Sequence, residues 1–122
     1  MKICGISDIH GDLSVKIQPC DVLCICGDIV PLELQVNSKK SKRWLKELFI
    51  PWCSKQPCKK VLVVGGNHDF FLWHHPLQMK EMVKEEEKIE YLLNEGYEFE
   101  GVKFFGTPLC KEFGYWAFMY PY

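Results

Sequence analysis

Three near-continuous apolar runs constrain this chain more than any other feature, because each stops at a cluster of glycine with carboxylate, amide or imidazole. Residues 2–7 (KICGIS) lead into Asp8-Ile9-His10-Gly11-Asp12. Residues 21–26 (DVLCIC) lead into Gly27-Asp28. Residues 60–64 (KVLVV) lead into Gly65-Gly66-Asn67-His68-Asp69. Apolar runs without alternation are the pattern of strands buried on both faces of a sheet. Between the second and third, residues 38–54 place Trp44, Leu45, Leu48, Phe49 and Trp52 at helical spacing. Asn37 or Ser38 is the expected N-cap, and Pro51 is expected to kink or end the helix. Strand, helix, strand is a crossover unit, so the sheet should be parallel at its centre, in the α/β class.

Further along, residues 76–88 read as a second helix with Pro76 in its first turn. The pattern then shifts to short alternating runs. Residues 90–93 and 97–100 are expected to be strands joined by a turn at Asn94-Glu95-Gly96, with another strand at 102–106, forming an antiparallel extension. The chain closes on aromatic residues at Trp116, Phe118, Tyr120 and Tyr122. Chain ends are usually polar. An aromatic end is expected of a chain cut short at its C-terminus or of one buried against something else, and in the second case a homo-oligomer through the apolar C-terminal region is the anticipated partner arrangement.

At 122 residues, 48% of them hydrophobic, the chain has the size and apolar content of one folded domain, residues 1–122. A net charge of −1 indicates neither nucleic acid nor a membrane surface as partner. No apolar stretch approaches the roughly 18 residues of a membrane span. The run after Met1-Lys2 is too short for a signal sequence. The seven cysteines read as reduced thiols, and the expected location is cytoplasmic.

In an open α/β sheet, ligands gather outside the carboxyl ends of the strands. That rule brings Asp8, His10, Asp28, Asn67 and His68 to one edge. Carboxylates suit hard or borderline dications, and imidazole narrows the choice toward Mn, Fe or Zn. Asp28 could bridge two ions, and Asn67 offers a neutral carbonyl oxygen. Two such ions could activate a water and clamp the oxygens of a phosphate ester.

The motifs D-x-H-G-D, G-D and G-N-H-D, in this order, resemble those of the calcineurin-like metallophosphoesterase superfamily. Residues 105–109 (FGTPL) and 113–118 (FGYWAF) are similar to the small class III phosphodiesterases of its metallophosphoesterase-domain (MPPED-like) branch. The resemblance implies the N-terminal half of a β-sandwich flanked by helices, and hydrolysis of phosphodiesters with two divalent ions. It places Asp8 and His10 on the first metal, Asp28 between both, and Asn67 on the second metal and the substrate. His68 becomes the proton donor or charge stabiliser at the leaving group. Asp69 becomes the residue that orients a neighbouring histidine. The family takes its remaining ligands from later G-H and G-x-H motifs, and no histidine follows His75. The second ion is therefore expected to be weakly held or lacking, and the chain alone weak or inactive. The alternative reading is a non-catalytic metal-binding or interaction module. Another chain supplying the missing histidines is a third arrangement. His74 and His75 are set aside as replacements because they follow the third motif on a loop or helix start.

Overall fold

The computed structural model describes residues 1–120. Tyr122 of the aromatic tail lies outside them. Strands β1 (Ile3–Ile6), β2 (Val22–Cys26) and β3 (Lys60–Val64) are mutually parallel, as their apolar patterning requires. Register pairs Cys4 with Leu23 and Ile25 with Val63, so the three strand ends are level.

The helical stretch begins at Ser38 and ends at Ser54. Asn37 caps it, its side chain accepting from Lys40 N–H at 2.9 Å. It comprises α1 (Ser38–Trp44), a π-helical turn at Leu45–Phe49 and α2 (Ile50–Ser54). Pro51 explains the middle piece. A regular helix would press its ring against the carbonyl four residues back. Here Ile50 N–H reaches Leu45 O instead, which widens the turn just ahead of the proline. Pro51 therefore re-spaces the helix without ending it.

The second half departs from the expected meander. After β3 come two short helices, α3 (Phe70–His74) and α4 (Pro76–Val83), the latter ending before Lys88. They return the chain to the start of the sheet, so β4 (Ile89–Tyr91) pairs with β3 in parallel. The antiparallel extension predicted from residue 90 onward is thus wrong for its first strand. The hairpin turn is also elsewhere. Asn94, at φ 54°, redirects the chain, and Glu95 and Gly96 already belong to β5 (Glu95–Phe99). β5 pairs antiparallel with β6 (Val102–Gly106) across Glu100-Gly101. Both turn residues have positive φ, 47° and 82°, as a two-residue type I′ turn demands. β7 (Cys110–Lys111) and β8 (Met119–Tyr120) form a last small pair.

Alternate residues of one sheet meet different layers. Leu23, Ile25, Val61 and Val63 face the helices, packing with Leu45, Phe49, Phe71, Leu72 and Met79. Val22, Leu62 and Leu92 face the other way and are covered by Tyr97, Phe99 and Phe104 of the hairpin. That cover is partial: Ile3 is 48% and Phe105 70% exposed. The tail folds back on its own chain. Phe118 is buried and Ala117 N–H bonds Asn67 O at 2.9 Å, so Phe118 is not available to a second copy. All seven cysteines are free thiols, and burial beside Cys4 pushes the Cys20 thiol up to about 11.

Candidate metal centre

The three motifs meet because the hydrogen bonding of the sheet continues past the strands. Asp8 N–H donates to Gly27 O at 3.0 Å, His10 N–H to Asp28 O at 3.0 Å and Gly11 N–H to Ile29 O at 2.8 Å. This zipper holds Asp8, His10 and Asp28 in the left-handed region, at φ 56°, 43° and 54°. Non-glycine residues rarely adopt that conformation, and it clusters at functional sites. Three of the six such residues among those described are these three ligand candidates.

The third loop is locked to the second by Asp69. Its carboxylate accepts from the backbone N–H of Ile29 at 3.0 Å, Val30 at 3.1 Å and Gly66 at 2.8 Å. The group is fully buried, and burial pushes its pKa up to about 6 against the opposing pull of those amides. These are the contacts the structure gives it. The expected histidine is not among them, and Asp69 acts as a staple between loops. Gly66 allows the approach: a Cβ there would lie 2.2 Å from Asp28 N. His68 N–H completes the join by donating to Asp28 Oδ1 at 2.9 Å.

Asp8, His10 and Asp28 each place a ligand atom within 4.8 Å of the others. Asp8 accepts from Ser7 Oγ at 2.6 Å, which with the touching Asp28 carboxyl and two nearby imidazoles holds its pKa below the usual range. His10 Nδ1 is buried with no hydrogen-bond partner. The Asn67 amide closes the set, one terminal atom lying 3.1 and 3.3 Å from the two Asp28 oxygens. Turned one way this amide donates to Asp28; turned the other, its oxygen joins the carboxylate in facing a cation. Two abutting carboxyls, an orphaned imidazole nitrogen and a reversible amide fit a divalent ion.

The remaining candidates are sorted by geometry. The Asp12 carboxylate is occupied by Ser14, accepting from its N–H at 3.0 Å and its Oγ at 2.5 Å. His74 stacks on Phe70, His75 packs tilted against Phe71, and neither takes part in the ligand cluster. His68 is edge-on to His10, with centroids 5.6 Å apart, and its ring lies 4.4 Å from that of Trp116. Its Nδ1 is 2.7 Å from Gln35 Oε1. Gln35 had no signal in the sequence; it sits in an unremarkable polar stretch. A cavity of about 540 Å³ opens beside Asp8, Asp28 and Asn67 and runs along Cys26, Val64 and Phe105.

A parallel sheet whose adjoining strand ends gather carboxylates, imidazole and amide defines an α/β protein with a candidate metal site. The chain belongs to the calcineurin-like phosphoesterase family, which it matches over residues 1–117. Its architecture, a parallel-centred sheet with helices, agrees with that family. Divalent metals are the family's cofactors and phosphate esters its substrates. No curated protein matches the chain significantly. Among the described residues no helix is long and apolar enough to cross a membrane.

Proposed function

We propose that the chain is a metal-dependent phosphodiesterase of the MPPED-like branch, acting through two ions. The observation that carries this reading is the convergence of Asp8, His10 and Asp28 within 4.8 Å on left-handed backbone. Asp8, His10 and Asp28 would hold one ion, and Asp28 with Asn67 the other. Bound ions would supply an activated water and neutralise phosphate charge. The chain's own residues do the rest. The zipper and the Asp69 staple keep the ligands preorganised. His68, whose backbone N–H bond to Asp28 keeps it beside them, would give a proton to the leaving oxygen. The cavity beside the ligands accommodates an ester substituent.

Four protein groups do not fill two coordination shells, so the second ion is held more weakly. That observation favours the alternative, a module that binds metal without turnover. Hydrolysis of a chromogenic phosphodiester by purified protein with excess Mn²⁺ tests both, with Asp28→Ala as control. Slow, Asp28-dependent turnover supports the enzyme. Asp28-dependent Mn²⁺ binding without turnover selects the module. Turnover unaffected by Asp28→Ala overturns the site.

A further inference from the structure

His68 needs a fixed ring to serve any chemistry, and Asp69 does not supply it. The contact that does is Gln35 Oε1, 2.7 Å from His68 Nδ1. With Oε1 turned to the ring, as it is here, the amide accepts, and this bond then takes the proton on Nδ1. Nε2 is then the nitrogen left to exchange a proton with a ligand. The Trp116 ring also leans against it, tilted at 52° with centroids 4.4 Å apart, and it is set edge-on to His10. Gln35 is itself positioned. It follows a 3-10 turn at Leu32–Leu34 and donates its N–H to Leu32 O at 3.3 Å. That turn is pinned to α1 by the fully buried Ser41, whose Oγ donates to Leu34 O at 2.7 Å. The segment leaving Asp28 thus curls back, anchored at both ends, and presents an amide to the histidine of the third loop.

We propose that Gln35 is a positioning residue for His68: it fixes the Nδ1–H tautomer and reserves Nε2 for the ester. The role given to Nε2 rests on the phosphoesterase reading; the tautomer does not. Two measurements separate them. The first is long-range ¹H–¹⁵N NMR of the metal-free, ¹⁵N-labelled chain at a pH above imidazole titration, with His68 assigned by the signal lost in His68→Gln. The wild type should show Nδ1–H. Gln35→Leu, close in volume, should revert to Nε2–H, the form a histidine side chain prefers in water. Gln35→Glu should keep Nδ1–H. An Nε2–H wild type, or Nδ1–H persisting in Gln35→Leu, overturns the proposal, and the wild-type spectrum alone decides if the variant does not fold. The second compares Mn²⁺-loaded wild type and Gln35→Leu on an alkyl and a 4-nitrophenyl diester. Proton donation matters most for the poorer leaving group, so kcat should fall about tenfold for the alkyl ester and about twofold for the nitrophenyl ester, with KM unchanged. Equal falls would reduce Gln35 to structural support. A wild type with no turnover counts against the phosphoesterase reading, while the tautomer still decides Gln35.

Discussion

Asp69 and Asp8 belong to the loops that build one ligand cluster, Asp69 fully buried among three backbone amides, Asp8 exposed with a single serine hydroxyl on its carboxylate. The Asp69 side ties the second and third loops into one body. The Asp8 side leaves its oxygens to solvent and to Asp28. The difference teaches that the same residue type is used here first as scaffold and then as ligand. A buried carboxylate surrounded by donors cannot also serve an ion without leaving those donors unpaired. An exposed carboxylate with one hydroxyl partner keeps oxygen lone pairs free for a cation.

The largest effect should come from breaking the scaffold side. Asp69→Asn turns an NH₂ group toward backbone donors and should cost about 3 kcal/mol of stability in urea titrations. A loss under about 1 kcal/mol would mean that the staple is not what joins the loops. Next is metal itself. At a concentration a hundredfold above Kd, Mn²⁺ should stabilise the fold by about 2.7 kcal/mol, reversed by chelator and absent in Asp8→Asn. Stabilisation that survives Asp8→Asn would place the ion elsewhere. Gly66→Ala should cost about 2 kcal/mol, because its methyl must displace the Asp28 backbone, and should weaken Mn²⁺ binding with it. The smallest effect sharpens the comparison most. In metal-free protein Asp8→Asn should change stability by no more than about 0.5 kcal/mol, in the destabilising direction, because its surroundings favour the ionised carboxylate. It weakens the Ser7 hydroxyl bond and gives up the attraction of the nearby imidazoles, but the site is exposed and asparagine tolerates φ 56°, so the loss is small. The same substitution would then cost several times more at Asp69 than at Asp8; a matching loss at both would erase the distinction between scaffold and ligand.

Part of this architecture was open to reading from residues alone. Apolar runs broken by glycine marked the three strands, and a helix between two of them makes them parallel, so the meeting of Asp8, His10, Asp28 and Asn67 followed. Burial on both faces, expected of all three, fails for β1, which lies at the sheet edge with Ile3 exposed. The asparagine cap is local chemistry and was foreseeable; Pro51, expected to kink or end the helix, instead follows a widened π turn and lets the helix run on to Ser54. The direction of β4 was not. Its short alternating run fits either an edge hairpin or a crossover, and only the helices after β3, packed on the core through Phe71, Leu72 and Met79, decided between them.

The sequence by itself determined where the strands end and which side chains those ends carry, because hydrophobic runs and their glycine breaks are properties of neighbouring residues. Tertiary structure alone decided what each of those side chains does. Asp69 became a staple because burial brought it to the amides of Ile29, Val30 and Gly66. Gln35 became the partner of His68 because a pinned turn carries it across 33 positions of chain. Trp116 and Phe118 turned inward because the loop at Asn67 offers a backbone carbonyl and an apolar seat. Each of these joins residues far apart along the chain, and hydrogen-bond geometry at that range is set by packing, which no local pattern records.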